Sequence, residues 1–160
     1  SEAGPGKGLQ FAAVVERHRG TGNVGLGFVR GFGLAGGALA STVSHDSHNL
    51  VLVGVSPREM AAAARAVERM GGGLAVVRDG EVLASLPLPV AGLMSLGNAT
   101  EVAEAMARLE EAARACGCGL PTPFMTLSFM ALPVIPALKL TDRGLVDVGR
   151  FELVPLKLEG

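Results

Sequence analysis

Aromatic side chains are scarce in this sequence, which has six phenylalanines and neither tryptophan nor tyrosine. A platform on which exposed bases stack would therefore have to be built from phenylalanine alone. The 14 basic and 15 acidic residues give a formal net charge of -1, and no stretch clusters lysine and arginine as a surface that follows a phosphate backbone requires. We therefore expect no nucleic-acid partner.

Long hydrophobic runs are also missing. Proline, glycine or serine interrupts each apolar run well short of the roughly 20 residues that a membrane span needs, and the first residues do not resemble a signal peptide. The two cysteines, Cys116 and Cys118, are too close for an ordinary disulfide and too few for a four-ligand zinc site. We expect no membrane partner, a cytoplasmic location and two reduced structural thiols.

Histidine is too scarce for a hydrolytic metal centre of the usual kind. The three histidines are His18, His45 and His48, and none belongs to an H-x-H or H-E-x-x-H pattern. A G-x-S-x-G nucleophile motif is absent as well. We therefore expect no catalytic residue and no cofactor in this chain.

The composition nevertheless predicts a folded domain. Hydrophobic residues make up 49% of the 160 residues and charged residues 18%, which provides enough apolar surface for one core. Residues 1–8 are rich in glycine and proline and resemble a linker or a cut end. The domain itself is predicted to span residues 9–160.

Two helices and one hairpin have local sequence signals. Ser56 and Glu59 can cap a helix that continues to about Met70. Asn98 and Glu101 have the same spacing and predict a second helix that ends near Gly117. Asp79-Gly80 favours a two-residue hairpin turn between strands 74–78 and 81–86.

The remaining segments favour strands. Four prolines between residues 121 and 136 argue against a long helix there, and we interpret that stretch as irregular. Further strands are predicted from their short apolar runs at residues 9–16, 24–33, 38–43, 48–55 and 145–158. About seven or eight mostly antiparallel strands with two helices indicate an α+β fold with a sheet-like or sandwich-like core.

Two polar segments are the candidate functional sites. The first consists of Glu16, Arg17 and His18 at the end of the first predicted strand, and the second runs from His45 and Asp46 to His48 and Asn49. His45 and His48 are weak candidates for metal ligands. In an extended chain His45 and Asp46 point to opposite sides, so that joint ligation of one metal would need a tight turn. For the second segment the alternative is a hydrogen-bonded turn without further function. For the first segment it is a solvated strand end.

A glycine motif adds a further possibility. Gly20-Thr21-Gly22-Asn23-Val24-Gly25 reads G-x-G-x-x-G, and Asp46 follows at roughly the distance expected of a ribose ligand. A dinucleotide site would place the third glycine within a helix, whereas the following residues have the spacing of a strand. A glycine-rich turn between strands is the alternative to nucleotide binding.

Several long strings of the sequence, from about residue 9 onward, together resemble the C-terminal domain of bacterial and archaeal adenine deaminases. These strings are Val14 to Gly33, Ser44 to Asn49, Met70 to Val76, Leu86 to Met94 and Pro123 to Val148. Adenine deaminases belong to the amidohydrolase superfamily. The resemblance implies an accessory domain that is inactive alone.

The resemblance also implies the partners of the chain. The complete enzyme would contain a (β/α)8 barrel with a divalent metal centre of Mn, Fe or Zn, and would convert adenine to hypoxanthine and ammonia in purine salvage. The two polar segments would then face the mouth of the barrel. A different class of function is a stand-alone module, either for homo-oligomerisation through residues 124–138 or for binding a small molecule or metal through His45 and His48.

Overall fold

The structure, a computed structural model, describes residues 8–156. Its strands and helices follow one another in this order: β1 (Leu9–Val15), β2 (Val24–Arg30), β3 (Ala38–Ser41), β4 (Leu50–Gly54), α1 (Pro57–Arg69), β5 (Gly73–Arg78), β6 (Glu81–Pro87), α2 (Ala99–Ala115), α3 (Pro123–Met130), β7 (Leu138–Thr141), β8 (Gly144–Asp147) and β9 (Glu152–Val154).

Six strands form one antiparallel sheet in the order β2-β1-β4-β3-β5-β6. Alternate residues of each central strand enter two different cores, because successive side chains of a strand point to opposite faces. Ala12 and Val14 of β1 face the core beneath α2 and α3, whereas Ala13 faces the core beneath α1. The sheet therefore lies between helices on both of its faces.

Both predicted helices are confirmed, together with their caps. The side chain of Ser56 accepts a hydrogen bond from the backbone N–H of Glu59 at the start of α1. At the start of α2, Asn98 and Glu101 each accept a hydrogen bond from the other's backbone N–H, at 3.0 and 2.8 Å. These interactions satisfy N–H groups that the first turn of a helix leaves without a partner.

The predicted hairpin is also confirmed. Asp79 and Gly80 connect β5 to β6 with φ angles of 54° and 81°. Both central residues of this turn type require positive φ, which explains the preference for Asp-Gly. Cys116 and Cys118 are free thiols and both are buried, as expected.

The predicted irregular stretch contains a third helix, so the count of two helices is corrected to three within residues 8–156. Helix α3 begins at Pro123, where the missing N–H of proline costs no helical hydrogen bond. Its eight residues bury Phe124 and Leu127 in the core. Tertiary packing stabilises a helix too short to persist by its own propensity.

The structure has nine strands within the described residues, and the α+β class with mostly antiparallel strands is confirmed. The last predicted strand region divides into β8 and β9, and its residues 157 and 158 lie outside the described residues. Apart from Gly8, the predicted linker also lies outside them. Between residues 8 and 156, no helix combines the length and the apolar composition that crossing a membrane requires.

Strands β7, β8 and β9 form a small second sheet that packs against β2. Two glycines of β2 allow this close approach. A β-carbon at Gly25 would lie 1.8 Å from the carbonyl oxygen of Thr141, and one at Gly27 would lie 3.4 Å from a methyl group of Leu140. Glycine at these positions therefore brings the second sheet against the backbone of β2.

Candidate functional site

The two predicted polar segments lie side by side in the structure. Val15, the last residue of β1, pairs with Leu50, the first residue of β4, in antiparallel register. The segment after β1 and the segment before β4 are therefore neighbours at one end of the sheet. We call these two segments, Glu16–His18 and His45–Asn49, the polar edge.

Arg17 joins the polar edge to a third segment. Its Nε donates a hydrogen bond to the carbonyl oxygen of His48, and its Nη2 donates one to the carbonyl oxygen of Ala91 at 2.7 Å. Partial burial lowers the pKa of Arg17 from its ordinary value. The guanidinium forms no salt bridge with any carboxylate of residues 8–156, so its main described partners are backbone carbonyl groups.

Glu16 organises the loop that contains the glycine motif. Its Oε1 accepts hydrogen bonds from the backbone N–H groups of His18 and Arg19, and its Oε2 accepts them from the N–H and hydroxyl of Thr21 at 3.0 Å. These bonds, the one from the Thr21 N–H first, lower the pKa of Glu16 from 4.5 to about 2 against the opposing effect of desolvation. Glu16 therefore remains ionised at neutral pH.

The glycine-rich loop does not have the geometry of a dinucleotide site. Gly20 and Gly22 have φ angles of 64° and 74°, and Gly25 lies within β2. The loop leads from one strand to another, whereas the dinucleotide motif leads from a strand into a helix N-terminus. The glycine-rich turn between strands is confirmed.

The loop from Ser44 to Asn49 is a tight turn with an unusual backbone. The N–H of His48 donates to the carbonyl oxygen of Ser44 at 2.9 Å. Asp46 and His48 have φ angles of 64° and 47°, which few residues with a β-carbon adopt. Such backbone strain is concentrated at functional sites, which makes this turn the first candidate for function.

The side chains of this loop point in different directions. The ring of His45 packs against Phe129 of α3 with 4.8 Å between ring centroids. Asp46 is exposed, and the amide of Asn49 donates to Asp142 at 3.4 Å. Asn23 donates to the other oxygen of Asp142 at 3.3 Å, so this carboxylate connects the polar edge to the second sheet.

Three buried polar atoms of the loop have no hydrogen-bond partner among the described residues. They are Oγ of Ser44, Nδ1 of His48 and Oδ1 of Asn49. Buried polar atoms in folded proteins are normally paired, and an unpaired one calls for a partner such as a ligand, water or another chain segment. Within residues 8–156 the hydrogen bonds of this loop are therefore only partly satisfied.

The histidines lie outside any three-ligand metal group of the described residues. Within residues 8–156, no group of three or more histidine, cysteine, aspartate or glutamate side chains is placed to hold an ion. His45 stacks on Phe129, and the Nε2 of His18 lies 2.8 Å from the carbonyl oxygen of Ser47, to which it donates. The assignment of His45 and His48 as weak metal ligands therefore stays a prediction.

Sequence reasoning missed the residues that hold the polar edge in place: Ala91, Phe129 and Asp142. Each lies far along the chain from its partner, and two of them contribute a backbone oxygen or an apolar ring, which no polar motif reveals.

Comparison with known proteins decides the family. A family model described as the adenine deaminase C-terminal domain matches residues 2–152. The chain belongs to this family.

Curated adenine deaminases are similar to this chain over almost its whole length. The adenine deaminase of Oleidesulfovibrio alaskensis is 56% identical over 154 residues, which is 96% of this chain and 27% of that protein. That of Moorella thermoacetica is 54% identical over 96% of this chain and 26% of that protein. That of Brucella abortus is 57% identical over 89% of this chain and 24% of that protein. The chain thus spans about a quarter of the length of the curated relatives it matches.

Proposed function

We propose that this chain is part of an adenine deaminase, a hydrolase that converts adenine and water to hypoxanthine and ammonia. The observation that carries the proposal is the match to one family along residues 2–152, with relatives named adenine deaminase at 54 to 57% identity. The relatives give no support to a stand-alone module. We further propose a cytoplasmic location and a role in purine salvage; the two free, buried thiols agree with the location.

The proposal assigns the chemistry to another part of the same enzyme. An amidohydrolase barrel would bind the divalent metal, Mn, Fe or Zn, which supplies an activated water when bound. The chain described here would be inactive alone. Its contribution would be to complete the surroundings of adenine.

The polar edge is the part of the chain that we assign to this role. It combines donors and acceptors with a backbone held by side-chain hydrogen bonds, since Arg17 joins His48 to Ala91 and Glu16 organises its own loop. The exposed side chains of His18 and Asp46 are the groups of the polar edge that the barrel or the substrate can reach. Covering adenine excludes bulk water and strengthens the polar interactions that act on the reacting ring.

The test compares two proteins that are free of host deaminase. Ammonia release from adenine is measured for the complete enzyme and for the 160-residue chain, each with added Mn, Fe or Zn. We expect turnover from the complete enzyme only. A complete enzyme that is inactive on adenine would overturn the assigned reaction. Ammonia release by the chain alone would overturn the assignment of catalysis to the barrel.

A further inference from the structure

Strand β2 has an inverted pattern of side chains. Val24, Leu26 and Phe28 point away from the second sheet and are 49%, 61% and 43% exposed, whereas Gly25 and Gly27 are buried. A strand with one solvated face normally turns its apolar side chains to the core and its polar side chains to water. The outward side chains of β2 are instead those of a covered face.

Helix α1 covers only part of this face of the sheet. Its buried residues pack over β3, β4 and β5, and they contact Ala38, Leu52 and Ala75 among others. Toward β1 and β2 the face remains an open groove with a volume of about 340 Å³. The groove is lined almost entirely by apolar groups, including Phe11, Leu26, Phe28, Met60 and Ala64, and Leu156 at the end of the described residues also lines it.

We infer that this surface, which we call the β2 groove, is the docking site for the remaining part of the adenine deaminase. The inference rests on the proposed function, because it takes the rest of that enzyme as the occupant. The relatives are roughly four times as long as the part that this chain matches, so a partner of sufficient size belongs to the same polypeptide. An apolar patch on a domain of a larger protein is typical of a surface between domains.

The position of the β2 groove supports this occupant over others. Val15 and Ala64 line both the groove and the crevice beside Glu16 and Arg17, so the groove and the polar edge are continuous. A domain seated in the groove therefore also meets the polar edge. The apolar groove would provide the attachment, and the polar edge would provide the contacts to the substrate side.

Cysteine labelling in the complete enzyme tests the inference. Leu26→Cys probes the groove, and Leu83→Cys is the matched control, since Leu83 lies on the opposite edge strand β6 and is 47% exposed. The native Cys116 and Cys118 are buried, and peptide mass spectrometry separates the introduced cysteine from all others. Rates of reaction with a maleimide are expressed relative to those of the denatured enzyme.

We expect Leu26→Cys to react about tenfold or more slowly than Leu83→Cys, because a covered site reacts only when the contact opens. Equal relative rates would overturn the inference. Protection that disappears on dilution, together with dissociation of a dimer in sedimentation, would assign the groove to a second copy and overturn the choice of occupant. Faster labelling after removal of residues 157–160 would assign it to the end of the chain, with the same consequence.

Adenine turnover by the unmodified complete enzyme is measured in parallel. An inactive enzyme whose Leu26→Cys variant is protected would refute the proposed reaction and leave the docking surface standing. An active enzyme whose Leu26→Cys variant reacts freely would support the proposed reaction and refute the docking surface.

Discussion

Gly92 lies directly beside the guanidinium group of Arg17. A β-carbon at position 92 would be 2.6 Å from Nη2 of Arg17, which is shorter than the contacts that real β-carbons make. The same glycine has a φ of 73°, and its carbonyl oxygen accepts a hydrogen bond from the buried hydroxyl of Thr42 at 2.6 Å. The absence of a side chain at Gly92 therefore allows Arg17 to reach Ala91 and hold three segments together.

Gly92→Ala is expected to destabilise the fold for two reasons. Alanine at positive φ costs about 1–2 kcal/mol, and the added methyl group also displaces the guanidinium of Arg17. The free energy of unfolding, measured by urea denaturation of the complete enzyme or of this chain, reports the sum. We expect the decrease to exceed the cost of the backbone conformation alone.

Gly80→Ala is the matched control for Gly92→Ala. Gly80 has a similar φ of 81°, and a β-carbon there would meet no atom within 4 Å. In the background Arg17→Ala, the effect of Gly92→Ala should shrink toward that of Gly80→Ala, since the clash has been removed. An effect of Gly92→Ala that is the same in both backgrounds would contradict this explanation.

Gly25→Ala is expected to separate the two sheets. The φ of Gly25 is not positive, so the substitution adds no backbone strain, but its methyl group would collide with the carbonyl oxygen of Thr141. Overpacking of this kind costs about 1–3 kcal/mol. Hydrogen exchange should become faster in β7 and β8, whereas β4 and β5 should keep their protection.

Gly27→Ala provides the comparison for Gly25→Ala. Its β-carbon would contact only the flexible end of Leu140, at 3.4 Å. We expect a smaller loss of stability and little change in exchange. Equal losses for the two variants would show that the second sheet does not depend on the close approach at Gly25.

The elements that the sequence predicted correctly have local causes. The caps of α1 and α2 and the Asp79-Gly80 hairpin are each set by residues within a few positions of one another. Helix α3 was missed because its stability comes from burying Phe124 and Leu127 against distant elements. The local sequence therefore reveals caps and turns, but it does not reveal packing against distant elements.

The candidate site divides in the same way. Both polar segments were recognised from their composition, but the contacts that join them were not. Arg17 is 31 residues from His48 and 74 from Ala91, and Asn49 is 93 residues from Asp142. Such contacts depend on which strands are neighbours and in what register, which composition does not specify.

The histidines of the polar edge are expected to affect turnover and not metal content. His45→Ala or His48→Ala in the complete enzyme should reduce kcat/KM for adenine by about tenfold or more, because the proposed role of the polar edge is to hold the surroundings of adenine in place and small displacements of such groups are costly. Metal content, measured by atomic emission, should remain that of the unmodified enzyme because we assign the metal ligands to the barrel. Glu104→Ala, on the exposed face of α2, is the control and should leave both quantities unchanged. Unchanged turnover in both histidine variants would remove the polar edge from the active site.

The carboxylate of Glu16 should make the loop at residues 16–21 sensitive to acid. Its pKa is about 2 in the folded protein, compared with its usual 4.5, because hydrogen bonds from Thr21, Arg19 and His18 favour the charged form. A group whose pKa is lower in the folded state stabilises the fold fully above the unfolded pKa. This stabilisation is therefore complete above about pH 4.5 and is lost as the pH falls toward 2.

Glu16→Gln removes the charge but retains one oxygen acceptor. The difference in unfolding free energy between the unmodified protein and this variant should be largest above pH 4.5 and should shrink steadily toward pH 2, while NMR titration of the Thr21 amide reports the same transition directly. A difference that does not change between pH 6 and pH 2 would show that the loop depends on the geometry of the acceptor and not on its charge. That result would leave Glu16 as an organising residue whose ionisation has no bearing on the stability of the polar edge.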